Sequence, residues 1–198
     1  MCNNISFLGP KGTFTHEAAY MLEGNLIPYC TIPAVMESVS EGECQFGVVP
    51  IENSIEGPVG LTLDSLAHKF DLKIFKEIVI PINQNLIVNP KTVMDDITDV
   101  YSHSQAIAQC QEFIRDNEIQ PHYAVSTASA AKSILGDKRK AAIGNSKAAE
   151  IYGLEILKPN IQDLDNNETR FVVLSKNDHE PTDMDKTSII FSIYEDKP

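Results

Sequence analysis

The chain has 198 residues, 42% of them hydrophobic and 22% charged, which suits one large domain or two small lobes around a real core and is ordinary for a soluble globular protein. Its formal charge of −12 argues against nucleic acid or an anionic membrane surface as the main partner. No apolar run reaches the length of a membrane span, the first residues lack the basic-then-apolar pattern of a secretory signal, and the four cysteines (Cys2, Cys30, Cys44, Cys110) lack CxxC spacing. These features predict a cytoplasmic protein with reduced thiols, with no disulfide framework and no zinc site.

In chain order, apolar runs of strand length alternate with segments of helical period, the pattern of an α/β fold. Residues 5–8 read as a strand, followed by a Gly/Pro loop and a helix over 15–23. Pro33 suits the first turn of a second helix with the apolar stripe Val35, Met36 and Val39. Residues 45–51 read as a strand and 58–70 as a helix. The apolar stretch 74–88, interrupted by Pro81, reads as two strands. A short strand over 99–102 precedes a helix over 105–117. Strands over 122–125 and 141–143 are each followed by a helix, over 127–135 and 146–152. Residues 154–161 and 170–174 are further strands. The acidic segment 178–186, with Pro181, reads as a linker, and 187–194 alternates like a new strand. The sequence shows no obvious internal repeat.

Five times a short apolar strand ends in small polar residues just where a helix begins: at 9–15, 50–57, 102–105, 126–129 and 144–146. Helix starts carry unpaired N–H groups that suit carboxylates or phosphates, and α/β sheets bind ligands beyond the carboxyl ends of their strands. Simple helix capping explains any one junction equally well. Gly9-Pro10-Lys11-Gly12-Thr13 has too few residues between its glycines for a nucleotide loop. The five histidines show no metal spacing, and only His103 falls at a strand end inside the expected cleft. On a helix starting at Glu52, Glu52 and Glu56 would share one face, and their carboxylates would interact with each other or with the helix start. Among the three arginines, Arg170 follows a polar loop and precedes an apolar strand, so its fork is placed either for a ligand carboxylate or for a salt bridge between lobes.

Three segments carry a family resemblance: Phe7-Leu8-Gly9-Pro10-Lys11-Gly12-Thr13-Phe14-Thr15, Gly47-Val48-Val49-Pro50-Ile51-Glu52-Asn53-Ser54-Ile55-Glu56-Gly57, and Asn167-Glu168-Thr169-Arg170-Phe171-Val172-Val173-Leu174. In this order and spacing they resemble the prephenate dehydratases. The resemblance implies a two-lobed α/β fold like that of the type II periplasmic binding proteins, with the active site in the cleft between lobes. One lobe would hold residues 1–79 and 170–183, the other 80–169. It implies catalytic roles for Thr169, Arg170, Ser102 and Gln109, with Thr169 as donor to the departing hydroxyl. It implies substrate contacts from Thr13, Asn53, Ser54, Gln105, Thr127, Ser129, Ala130 and Phe171. Thr15 stands where Ser is more usual in the family, and keeps the hydroxyl. The reaction requires no cofactor and no metal. Residues 186–198 would open an ACT regulatory domain of which only about a dozen residues are present, so phenylalanine would act as effector only where the full ACT domain exists. Partners would be the small-molecule substrate and further copies of the chain, as dimer or tetramer, with no nucleic acid and no membrane. The sequence leaves open the sister substrate arogenate, and also a non-catalytic two-lobed solute-binding module.

Overall fold

The structure, a computed structural model, describes residues 3–191. Its first half builds β1 (Asn4–Leu8), α1 (Phe14–Tyr20), β2 (Asn25–Tyr29), α2 (Ile32–Ser40), β3 (Phe46–Asn53), β4 (Gly57–Pro58), α3 (Gly60–His68) and β5 (Lys73–Pro81). The second half builds β6 (Asn85–Val88), β7 (Asp99–Ser102), α4 (Ser104–Ala108), α5 (Gln111–Asp116), β8 (Gln120–Tyr123), α6 (Thr127–Ser133), β9 (Lys140–Gly144), α7 (Ser146–Tyr152) and β10 (Glu155–Lys158), and β11 (Glu168–Ser175) then returns to the first. One short 3-10 turn, Met94–Asp96, precedes β7.

These strands form two separate sheets. The first has the order β2-β1-β3-β11-β5, with β4 paired to β3; the second has the order β10-β6-β9-β7-β8. In the first, β1 runs parallel to β2 and β3, and β11 lies antiparallel between β3 and β5. In the second, β7 runs parallel to β8 and β9, and β6 lies antiparallel between β9 and β10. The two halves therefore share one strand order, each completed by one reversed strand at a crossing. The chain crosses between Pro81 and Asn85 and returns between Lys158 and Glu168.

Each sheet is covered on both faces, so its strands bury residues of both parities. In the first lobe, Val49, Ile51, Val172 and Leu174 face α2 and α3 together with Val35, Met36 and Val39. Val48, Phe171 and Val173 face the opposite way, with Phe7, Ala18 and Ala19 of β1 and α1. In the second, Leu86, Val100, Ala141 and Ile143 pack with Ile107 and Ile114 of α4 and α5. Ile87 and Ala142 pack with Ala130, Ala131, Ala148 and Ala149 of α6 and α7. The alanine faces of α6 and α7 let these helices approach the sheet closely. The two-lobed α/β expectation therefore holds. Cys30, Cys44 and Cys110 are free thiols, and burial pushes Cys110 up to about 12.

Four local expectations are corrected. The structure adds β2, which Pro28 and its half-exposed residues disguise in the sequence; as the edge strand it tolerates proline. The expected helix over 105–117 is two helices. Asp163 from a distant loop accepts N–H bonds from Gln111 and Glu112 at 3.0 and 3.1 Å, and Asp163 N–H donates to Gln109 O at 2.7 Å. That tertiary cap starts a new helix at Gln111. No helix starts at Glu52: Glu52 belongs to β3 and Glu56 to the turn before β4, so they share no helical face. The strand expected over 187–194 is not formed in its described part, 187–191, and the remainder lies outside the described residues.

Candidate active site

Between the lobes lies a cleft of about 960 Å³. Its walls come from four of the five junctions named above, because the loops after β1, β3, β7 and β8 all face it, joined by the two crossings; the junction 144–146 does not line it. α1, α6 and α7 start with side-chain caps from Thr13, Ser126 and Asn145, while His103 Nδ1 accepts from the Gln105 N–H at 3.4 Å at the start of α4. The end of β3 differs. There Asn53 Oδ1 accepts the N–H groups of Ile55 and Glu56, both at 3.0 Å, and forms a tight turn instead of a helix.

That turn fixes which end of the Asn53 amide is the donor. Its Nδ2 faces β11, where Thr169 is the residue paired with Asn53. Asn53 Nδ2 donates to Thr169 Oγ1 at 2.9 Å, to Asn167 Oδ1 at 2.7 Å and to Glu168 O at 3.1 Å. The polarity continues along buried amides. Asn167 Nδ2 donates to Gln109 Oε1 at 3.0 Å, and Gln84 Nε2 donates to the same oxygen at 3.2 Å. With Gln109 Oε1 occupied twice, the Gln109 NH2 group is its remaining donor. Thr169, with its oxygen already accepting from Asn53, is free to donate its own O–H. The arrangement thus offers two donors, a hydroxyl and an amide, to whatever occupies the cleft.

Of the site residues expected from sequence, Thr13, Asn53, Gln105, Gln109, Thr127, Thr169 and Phe171 line this one cleft, as does His103. Five do not. Ser54 stitches β3 to β11, donating from Oγ to Asn166 O at 3.1 Å and accepting from Glu168 N–H at 2.9 Å. Ser102 is fully buried and donates to Ile143 O at 2.7 Å. Ser129 closes a reciprocal cap with Ser126, and Ala130 is fully buried against the second sheet. Arg170 points to the other face of β11, where its guanidinium meets Glu52 at 3.2 Å and Glu77 at 3.3 Å. Strand alternation is the reason: neighbours on β11 face opposite ways, so Thr169 at the cleft turns Arg170 away.

Sequence reasoning passed over Gln84 as a cleft residue, and within the junctions 9–15 and 50–57 it gave Lys11 and Glu56 no ligand role. For Gln84 a signal existed, because Asn83-Gln84-Asn85 is a polar triplet inside an apolar stretch. Gln84 is 3% exposed and its Oε1 has no hydrogen-bond partner among the described residues. Beneath the β1–α1 loop, buried His16 accepts the Gly12 N–H at Nδ1, at 3.2 Å. Burial, then the charges of Lys11 and Lys147, pushes its pKa down from 6.5.

Fold and cleft define a two-lobed α/β protein with a ligand site between lobes, rich in neutral donors. The chain belongs to the prephenate dehydratase family, whose model matches residues 5–179. It is 42% identical over 98% of its length to a bifunctional chorismate mutase/prephenate dehydratase of Aquifex aeolicus, spanning 54% of that protein. It is 42% identical over 87% of its length to a prephenate dehydratase of Lactococcus lactis subsp. cremoris, spanning 63% of it. The crystal structure of the Arthrobacter aurescens prephenate dehydratase in complex with L-Phe superposes with a TM-score of 0.83 at 33% identity, covering 91% of this chain and 63% of that one. The chain therefore spans about half to two thirds of the length of these relatives.

Proposed function

We propose that this chain carries the prephenate dehydratase reaction, converting prephenate to phenylpyruvate with loss of CO2 and water. The observation that carries the reading is Thr169 at the mouth of β11, its oxygen held by Asn53 at 2.9 Å and its hydroxyl proton left for the cleft. In prephenate the bond from the ring to its carboxylate breaks and CO2 leaves. The electron pair moves through the ring, the bond from carbon to the ring hydroxyl breaks, and the ring becomes aromatic. One proton is taken up, so the leaving group departs as water. Aromatisation drives the reaction, and the obstacle is the poor leaving group.

Thr169 addresses that obstacle. Charge grows on the departing oxygen only as the bond breaks, so a fixed donor there stabilises the transition state more than the ground state. The Asn53 N–H makes the hydroxyl a better donor by withdrawing charge from its oxygen. Gln109 NH2 and the N–H and hydroxyl groups of the cleft are donors for the substrate's carboxylates. Asn53, Gln105, Thr13, Thr127 and Phe171 shape the site around them.

The same reading extends to the whole molecule. The lobes divide near the two crossings, and Lys186 starts a segment leading to an ACT domain. Phenylalanine is the effector through that domain, the assembly is a homo-oligomer, and the protein works in the cytoplasm in phenylalanine biosynthesis. Family membership and the L-Phe bound to the Arthrobacter aurescens relative support this. The test is to incubate the chain with prephenate and with arogenate and follow phenylpyruvate in alkali and phenylalanine by chromatography. Phenylpyruvate from prephenate at an enzymatic rate is expected. Turnover of neither substrate by the folded chain would overturn the reading.

A further inference from the structure

The β1–α1 loop, Gly9-Pro10-Lys11-Gly12-Thr13, has a backbone fixed by hydrogen bonds and carries a cation, Lys11. Gly9 N–H donates to Tyr29 O at 2.8 Å, Thr13 Oγ1 donates to Leu8 O at 3.2 Å and Pro10 O at 3.0 Å, and Gly12 N–H donates to His16. Gly12 also touches the second lobe: a Cβ there would lie 3.4 Å from both Ala128 Cβ and Ala148 Cα. Lys11 is thus held at the seam where α6 and α7 of one lobe meet the loop of the other. The residue is part of the cleft lining. Among the described residues its ammonium makes no salt bridge.

The charge balance of the cleft depends on that group. Among the described residues, Lys11 is the one lysine or arginine in its lining, and Glu56 the one carboxylate. The nearby alternatives are committed elsewhere. Arg170 pairs with Glu52 and Glu77, and Lys147 pairs with Glu150 at 2.9 Å while lying over the Tyr20 ring. The molecule as a whole carries −12. A dianion entering the cleft therefore meets a repulsive overall field unless a local cation offsets it.

The geometry points to Lys11 as the counter-charge for one carboxylate of the bound dianion, and so as the residue that makes the cleft prefer a dianion to a monoanion. This rests on the dehydratase reading. An ammonium on a flexible four-carbon stem attracts an anion as a point charge, without the bidentate geometry that an arginine would impose. It also favours release of phenylpyruvate, which has one negative charge where prephenate has two.

The experiment is calorimetric titration of the 198-residue chain and its Lys11→Gln and Lys11→Arg variants with prephenate and with phenylpyruvate, each at low and high salt. Rapid injection at low temperature limits turnover. Lys11→Gln is expected to weaken prephenate binding about tenfold, to weaken phenylpyruvate less, and to flatten the salt dependence, whereas Lys11→Arg keeps most of the affinity. Circular dichroism confirms folding, which an exposed loop side chain does not govern. Lys11→Gln binding prephenate like the parent, with the same salt dependence, would overturn the assignment and leave the dehydratase reading standing. A parent chain that binds no prephenate would overturn both.

Discussion

Thr169 and Arg170 are adjacent in sequence and opposite in position. Thr169 faces the cleft with its oxygen bonded to Asn53, so Thr169→Ala removes a donor used as the leaving oxygen gains charge. A fall in kcat of about 10²–10³-fold with little change in KM is the expected outcome, read by steady-state kinetics on prephenate. A folded variant with near-normal kcat would take Thr169 out of the chemistry. Arg170 is bonded to two carboxylates outside the cleft, both partly exposed with it. Arg170→Lys is therefore expected to leave KM within about twofold and to cost about 0–1 kcal/mol of stability in a urea titration. A KM raised about tenfold or more would instead mark a carboxylate clamp. The sequence offered both readings of Arg170, and only the partners across the sheet separate them.

At the scale of single elements, the β1–α1 loop and its helix hold the seam between lobes. Gly12 has φ +91° and abuts Ala128 and Ala148, so Gly12→Ala meets both backbone strain and a crowded contact. A loss of about 1–3 kcal/mol, seen as a lower midpoint in chemical denaturation, is expected. His16 makes the same element sensitive to acid. Its pKa in the fold lies below 6.5, chiefly through burial, so between the two values the unfolded chain binds more protons than the folded one. Stability from this group is present above about pH 6.5 and is lost as pH falls through the folded value. His16→Asn, which places an oxygen acceptor near the position of Nδ1 and does not titrate there, is expected to reduce the drop in melting temperature between about pH 7.5 and 5.5. An unchanged drop would assign the acid sensitivity to other groups. The split between α4 and α5 belongs to this scale too. Asp163 ends one helix at Gln109 and starts the next, which leaves the Gln109 side chain at the cleft. Apolar periodicity alone runs straight through that break.

For the molecule as a whole, the two sheets have one strand order, yet the sequence shows no repeat. Topology can persist where side chains diverge, because each half needs only an apolar sheet between helices and capped loops at one edge. The outer face of β11 links this scaffold to the segment beyond it: Lys186 pairs with Glu77 at 2.6 Å, and Glu77 with Arg170, the neighbour of Thr169. If an ACT domain follows Lys186, phenylalanine binding there has a short path to the strand that carries the donor. Titrating L-Phe into a form with the full ACT domain is expected to change prephenate turnover. Lys186→Ala in that form is expected to weaken the response. An undiminished response would remove this ion-pair chain from the coupling.

By itself the sequence determined the alternation of strands and helices, the polar junctions where strands end, and the family. Each of these is written locally: apolar period, caps at Ser126 and Asn145, and three contiguous motifs. Tertiary structure alone decided which junction residues share the cleft. Ser102, Ser129 and Ala130 match the family's motif positions, but their side chains or backbones are used within the second lobe. Gln84 lies outside the three motifs and lines the cleft, as do Lys11 and Glu56 within them, to which the resemblance assigns no role. The physical reason is that a site between lobes is assembled from residues more than a hundred positions apart, such as Asn53 and Thr169. Sequence spacing sets the side a residue takes on its own strand or helix, whereas the pairing of strands and the approach of the lobes set what it meets.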